Sequence, residues 1–279
     1  MKVLVTGVSG QLGFDVMREL LARGIEAKGA SRSDFSLTDF AAMRRFVEVH
    51  RPTAIIHCAA YTAVDKAEDE PELCRDVNAA ATGELARLAK EIDAKFLYIS
   101  TDYVFPGTGE GFYEPEDEKA PCNVYGESKL LGEEAAREAL EELFIVRISW
   151  VFGENGKNFI KTMLRLAETH EELSVVGDQV GSPTYTRDLA RLLADMIETR
   201  KYGVYHATNE GTCSWAELAA EALRCAGKKT RVKAIKTEEY PTKAKRPKNS
   251  RLSKKCLDDA GFSRLPDWRD AVARYVELI

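Results

Sequence analysis

MKVLVTGVSGQLGFDVMREL, residues 1–20, runs from a short β-branched strand, Lys2 to Thr6, through Gly7, Gly10 and Gly13 into an amphipathic helical pattern. A strand that breaks at glycine and restarts as a helix makes a phosphate cradle. Gly7 permits the tight turn, Gly10 lets the backbone approach a pyrophosphate, and Gly13 allows the helix to pack close on the strand. The helix start, at Gln11 and Leu12, offers free N–H groups to an anion. The Gly-x-x-Gly-x-x-Gly spacing is one residue longer at the front than the commoner dinucleotide fingerprint, so its position at the first strand-to-helix junction carries the argument.

Outward from this motif, strand-like runs recur near 25–30, 54–58, 95–100 and 143–149, separated by helical patterns at 38–50, 72–93 and 123–141. With the opening strand and the helix at 11–23 this is βαβ alternation, which right-handed crossovers wind into a doubly wound, Rossmann-like α/β fold with a parallel sheet. After Trp150 the pattern loosens, with helices near 157–169, 186–199, 214–226 and 267–278 and a strand near 173–176. Residues 1–155 therefore read as a dinucleotide-binding domain to which 186–205 returns, and 156–279 as mainly a smaller substrate-binding lobe. Pro183 and the stretch Pro241 to Pro247 mark loops expected to close over the carboxyl edge of the sheet.

Composition narrows the partners. A net charge of −5 with 30% charged residues gives no bulk attraction to nucleic acid or anionic lipid. The cysteines at 58, 74, 122, 213, 225 and 256 have neither metal spacing nor a disulfide pattern, which suits a reducing cytoplasm. The apolar opening stops at Thr6-Gly7, too short for a signal peptide, and no later run could span a bilayer. The expectation is a soluble, cytoplasmic protein, either a monomer or a homodimer.

Tyr125 and Lys129, in NVYGESKLLGEEAA, fall on one helix face. A phenol of pKa about 10 is a poor proton shuttle near neutrality, and a neighbouring ammonium is expected to lower that value. STDYVFPGTG follows the apolar strand 95–99 and puts Ser100 and Thr101 at the sheet's carboxyl edge, where ligands bind. There the Thr101 hydroxyl can donate to a carbonyl oxygen while Tyr125 supplies a proton; without the other motifs, Ser100 and Thr101 would read as turn caps. HCAAYT gives the cofactor wall, with small Ala59 and Ala60 beside Tyr61, and Asn78 on the next helix is placed for a polar role near the nicotinamide or the catalytic strand, or on the helix surface. His57 has no partner at metal spacing and reads as a core histidine, so no metal site is read. At the end of the second strand, KGASRSDF places Ser31 and Arg32 where the adenosine ribose is held. A guanidinium there pairs with a 2′-phosphate, so NADPH is expected, and Asp34 keeps NADH open. KAKRPKNSRL gathers Lys245, Arg246, Lys248 and Arg251, which suits a diphosphate as well as a solvated face.

Together TGVSGQLG, the Ser/Thr-Tyr-Lys set and the long C-terminal tail resemble the extended short-chain dehydrogenase/reductases. Within them AAYTAVDKAEDEPE, STDYVFPGTG, NVYGESKLLGE, ISWVFG, NFIKTMLRLA, SVVGDQVGSPTY and RPKNSRL resemble the dTDP-4-dehydrorhamnose reductases over nearly the whole chain. The resemblance implies NADPH-dependent reduction of the 4-keto group of dTDP-4-dehydro-6-deoxy-L-mannose to dTDP-L-rhamnose, a nucleotide sugar for bacterial cell envelopes. It implies catalysis by Thr101, Tyr125 and Lys129, with Lys129 also holding the nicotinamide ribose, and a sugar pocket lined by Val64, Tyr103, Phe105 and Trp150 with Arg246 on the diphosphate. Some members of the family are described as magnesium-dependent dimers with bridging acidic residues. Here Asp15 and Asp188 stand where glutamates would be expected, so no bound metal is predicted. A 4,6-dehydratase would follow Thr101 with an Asp-Glu pair, whereas this chain has Asp102 and Tyr103. Two other readings stay open, a nucleotide-sugar 4-epimerase and a non-catalytic NADP-binding regulator resembling the β subunit of methionine adenosyltransferase.

Overall fold

The structure, a computed structural model, describes residues 1–279. Its centre is a parallel six-stranded sheet of β1 (Lys2–Thr6), β2 (Glu26–Ala30), β3 (Ala54–His57), β4 (Lys95–Thr101), β5 (Leu143–Ile148) and β6 (Gly203–His206). The order across the sheet is β6-β5-β4-β3-β1-β2. Register brings the strand ends level, with Thr6 opposite both Ala30 and His57, and Thr101 opposite Ile148. The chain reverses direction across the sheet at β1, which leaves a crevice between the ends of β1 and β3, and such switch points are where ligands bind in open α/β sheets.

The central strands β1, β3, β4 and β5 read as near-continuous apolar runs because helices cover both faces, while the edge strand β2, EAKGA, is mostly not buried. Val3, Val5, Ile56, Leu97, Ile99 and Val146 point to one side, against Leu12, Val16 and Leu20 of helix Gln11–Ala22 and Leu189, Leu193 and Ile197 of helix Thr186–Glu198. Leu4, Ile55, Phe96, Tyr98 and Ile145 point to the other, against helices Phe40–His50, Ala81–Glu91 and Val124–Ala139. Each such aliphatic side chain contributes about 1.5–3 kcal/mol on full burial, so the pleat's alternation fixes the register strongly. The fold is therefore doubly wound, as the βαβ alternation predicts.

Three stretches differ from the periodicity. The helix expected over 72–93 is in three parts, Pro71–Arg75, a π-helical turn Asp76–Ala80, and Ala81–Glu91. The wide turn carries Asn78, whose buried amide bonds across to the wall after β3, and π-turns concentrate at such sites. Strand β6, GVYH, is too short to show a pattern and is drawn in by pairing with β5. Arg231–Ile235, mostly exposed and basic, is a strand only because it pairs with Glu172–Val176.

The C-terminal half has its own aromatic core of Phe152, Tyr185, Trp268 and Tyr275 with Ile160, Leu218 and Val272. Leu257, Phe262 and Leu265 from the same half instead join Tyr205 in the core of the main sheet. No helix is long and apolar enough to cross a membrane.

Candidate active site

Gly7 turns the chain out of β1 at φ 71°, and a Cβ there would lie 2.8 Å from the Ala59 backbone, so only glycine lets the ends of β1 and β3 meet. A Cβ on Gly13 would lie 2.4 Å from the Gly7 carbonyl oxygen. Gly10 is the extended N-cap residue of helix Gln11–Ala22, and no side chain caps that helix. Its first N–H groups are left for an external acceptor, which is what a dinucleotide pyrophosphate requires. Leu12 is buried in the core, so it can offer only its backbone. The Gln11 side chain accepts a hydrogen bond from Asn158 Nδ2 (3.0 Å), and Asn155 Nδ2 donates to the Ser9 carbonyl (2.9 Å). The segment after β5 thus braces the cradle.

At the far end, Asp34 accepts from the backbone N–H and hydroxyl of Ser31, both at 2.9 Å, and those bonds hold its carboxyl below the usual range. Arg32 is exposed beside it and forms no ion pair. The free charge at this position is therefore a cation. That arrangement fits a 2′-phosphate better than bare ribose hydroxyls.

Ala59, Ala60 and Tyr61 line the exit from β3. Thr6 Oγ1 accepts from the Ala59 N–H (3.1 Å) and pairs with His57 Nδ1 (2.7 Å), which accounts for the buried histidine as a core residue. Asn78 was expected near the nicotinamide or the catalytic strand, or on the surface; it is 1% exposed, its backbone carbonyl accepts from Tyr98 OH on β4 (3.1 Å), and its side-chain amide accepts from Tyr61 N–H (2.8 Å) and donates to Tyr61 O (3.1 Å) and Ser128 Oγ (2.9 Å). Asn78 shapes the wall by holding Tyr61, with its polar atoms spent inside the protein.

Thr101 ends β4 and Tyr125 lies in the first turn of helix Val124–Ala139, which Asn123 caps through Gly126 N–H (2.8 Å). The Thr101 hydroxyl donates its one proton to Asp102 Oδ1 (3.0 Å) and lies beside the Tyr125 phenol. Lys129 Nζ donates to the Ile99 carbonyl (2.7 Å) and lies 4.1 Å from the Tyr98 ring centroid. The three expected catalytic residues therefore converge at the carboxyl edge of β4. One expectation fails: burial raises the Tyr125 pKa, the Asp102 charge adds to the rise, and Lys129 is not among the groups opposing it. Burial in turn lowers Lys129 to about 7, partly countered by Glu133. The ammonium is held on a backbone carbonyl, and the phenol keeps its proton at neutrality.

The residues expected around the sugar divide. Tyr103 meets Tyr125 edge to face, with centroids 5.5 Å apart, and Val64 opens the short helix Val64–Ala67. Trp150 is half-buried at φ 50° and stacks on Trp215. Phe105 is a correction: it is 0% exposed, stacked on Tyr113 at 4.5 Å and under the Arg147 guanidinium, so it is core and presents no surface to a ligand. In the basic run, Lys248 pairs with Glu238 and Asp178, and Arg251 bonds Asn249. Arg246 donates to Asp65 Oδ2 (2.6 Å) through Nη2, while its Nη1 is buried without a partner. Asp65 also accepts from Ala244 N–H (3.0 Å), and Lys245 O accepts from Asn123 Nδ2 (2.8 Å), so the loop lies against the start of the Tyr125 helix. Trp215 lies outside every motif read from the sequence, and the pairing of Asp65 with Arg246 and of Asp102 with Thr101 is visible only in the fold.

A family described as the RmlD substrate binding domain matches residues 1–279. The chain belongs to this family. Among RmlD relatives, the spore coat polysaccharide biosynthesis protein SpsK of Bacillus subtilis is 40% identical, over 99% of this chain and 97% of its own. The dTDP-4-dehydrorhamnose reductase of Escherichia coli is 40% identical, over 98% of this chain and 96% of its own. The crystal structure of dTDP-4-dehydrorhamnose reductase from Bacillus anthracis in complex with NADP superposes with a TM-score of 0.97 at 40% identity, each chain covered completely. UDP-glucose 4-epimerase of Thermus thermophilus, at 20% identity and a TM-score of 0.83 over 99% of this chain and 98% of its own, shares the fold.

Proposed function

We propose that this RmlD-family chain is an NADPH-dependent reductase that converts dTDP-4-dehydro-6-deoxy-L-mannose to dTDP-L-rhamnose. The observation that supports the reading is that Thr101 lies beside Tyr125 at the end of β4, with Lys129 one turn further along the same helix and held on the Ile99 carbonyl. Reduced nicotinamide, when bound, supplies the hydride. Gly7, Gly10 and Gly13 with the N–H groups of Gln11 and Leu12 would hold its pyrophosphate, Ser31 and Arg32 its adenosine end, and Ala59, Ala60 and Tyr61 the wall beside it. Lys129 would hold the nicotinamide ribose.

The protein's own task is to manage charge on the sugar oxygen. As the C4 carbonyl oxygen becomes an alkoxide, the Thr101 hydroxyl turns its one proton from Asp102 Oδ1 to that oxygen and stabilises the charge where it develops. Tyr125 then transfers its phenolic proton to that oxygen. A phenol whose pKa burial has raised is fully protonated at neutral pH, the form that reduction needs. Val64, Tyr103 and Trp150 would line the deoxyhexose, and Arg246 the diphosphate.

In this arrangement residues 1–155 with 186–205 form the dinucleotide domain, and 156–279 supply most of the substrate lobe. Six free cysteines and the kinship with a spore coat polysaccharide protein support a role in the cytoplasm, making sugar for envelope polysaccharide. The decisive experiment follows NADPH absorbance with dTDP-4-dehydro-6-deoxy-L-mannose and identifies the sugar product. One NADPH consumed per dTDP-L-rhamnose is expected. Epimerised keto sugar without net NADPH consumption would point to the epimerase, and no turnover at saturation to a regulatory subunit.

A further inference from the structure

We infer that Glu133, acting with Ser100 and Arg147, is a positioning group that fixes both Thr101 and the Lys129 ammonium without touching a ligand. The inference rests on the catalytic roles proposed for those two residues. Glu133 is 0% exposed and stands one helical turn beyond Lys129, on the same face. Its Oε1 accepts from Ser100 Oγ (2.6 Å) and Arg147 Nε (2.8 Å), and its Oε2 accepts from Arg147 Nη2 (2.7 Å) and Arg137 Nη2 (3.4 Å). Arg147, on β5 and equally buried, also donates to the Pro115 carbonyl (2.9 Å).

Ser100 is the point of leverage. The residue before it, Ile99, offers the carbonyl that holds Lys129 Nζ at 2.7 Å, and the residue after it is Thr101. One hydrogen bond from Ser100 to Glu133 therefore sets the end of β4 relative to the helix that carries Tyr125 and Lys129. A buried ion pair is weak evidence for stability, because desolvation offsets its attraction and a well-packed apolar replacement often serves as well. Its seat against the one residue flanked by both catalytic contacts points to geometry instead.

Charge supports the same conclusion. The groups near Lys129 are Glu133 on its own helix, Tyr98 on β4, His57 and Cys58 at the end of β3, and Cys74 on helix Pro71–Arg75, with Arg147 on β5 behind Glu133. Glu133 is the carboxylate among them, and it favours the protonated form of a lysine that burial pushes the other way.

Glu133→Gln alone would leave Arg147 buried and unpaired, so the test uses Ser100→Ala and the charge-balanced pair Glu133→Gln/Arg147→Met. Folding is checked by far-UV circular dichroism, with Tyr125→Phe as control. Ser100→Ala is expected to lower kcat about tenfold while both KM values stay within about twofold, since position is lost and ground-state binding is not. In the double variant the alkaline limb of the kcat profile is expected to move down by about one pH unit, because the ammonium loses its nearby anion. Parental kcat in folded Ser100→Ala, or a parental alkaline limb in the folded double variant, overturns the inference. Should the double variant not fold, Ser100→Ala, which removes one hydroxyl and no charge, decides alone. A Tyr125→Phe enzyme with parental activity would instead sink the proposed catalytic set itself.

Discussion

Trp150 lies face to face with Trp215, with ring centroids 3.9 Å apart and planes inclined by 16°. Trp150 occupies a left-handed turn after β5, a conformation that costs a bulky residue free energy and persists only when its surroundings impose it. Those surroundings are in the C-terminal half. Trp215 opens a helix whose start is fixed by a reciprocal capping box between Ser214 and Glu217, and Phe159 braces it with centroids 4.7 Å apart. The proposed sugar platform is thus held from behind. Trp215→Leu should raise the KM for the nucleotide sugar about tenfold and leave that for NADPH unchanged, a loss in line with one aromatic contact. The exciton couplet of the stacked indoles should vanish from the far-UV dichroism. Loss of the couplet with the sugar KM intact would show that the stack does not serve binding.

Cofactor choice follows from the contrast between Asp34 and Arg32. The carboxylate is engaged by Ser31, whereas the guanidinium is exposed with no ion pair. Arg32→Ala should lower kcat/KM for NADPH by at least about tenfold, the worth of one charge-assisted contact, and leave the value for NADH nearly unchanged. Steady-state kinetics with both dinucleotides checks this, and an equal fall for the two would locate the effect elsewhere.

Arg246 is paired with Asp65 through Nη2 in a loop that lies against the start of the Tyr125 helix, and its partly exposed guanidinium is the cation proposed for the diphosphate. Arg246→Ala should raise the KM of the nucleotide sugar about tenfold or more without altering NADPH binding measured by fluorescence. The same KM in mutant and parent would remove Arg246 from the substrate site.

The sheet was legible because parallel strands covered on both sides must be apolar runs, and the first of them ends in glycines whose spacing has a steric cause visible at Gly7 and Gly13. The positions of Thr101, Tyr125 and Lys129, whose catalytic roles are proposed, were legible for a related reason, since each sits where a strand end or a helical period places it. Residues that act through another were not legible. Asn78, read as a poor helix former with a polar role near the nicotinamide or the catalytic strand, or on the surface, holds Tyr61 from a π-turn that no periodicity signals. Phe105, assigned to the pocket by resemblance, belongs to the core because Tyr113 and Arg147 close over it. The phenol's pKa depended on a distance: the helical spacing puts Lys129 on the right face, but the Ile99 carbonyl takes its ammonium.

Asp102 makes stability pH-dependent in a direction opposite to that of most carboxylates. It is 3% exposed, its Oδ2 is buried without a partner, and burial pushes its pKa up from 3.8 to about 6. With the folded value above the unfolded one, the native state binds the extra proton between those limits. The favourable contribution is therefore present below the unfolded value and is lost as pH rises through about 6, above which the buried charge costs about 3 kcal/mol. Asp102→Asn keeps an oxygen to accept from Thr101 and places an amide NH2 by Ser250 Oγ, itself buried without a partner. The variant should raise Tm by several degrees at about pH 8 and by much less at about pH 4.5, where the parent carboxyl is already protonated. Thermal melts of parent and variant at the two pH values measure the difference directly. A Tm increment that is the same at both would mean that the Asp102 carboxyl does not titrate in this window, and that its neighbours solvate the charge as well as water does.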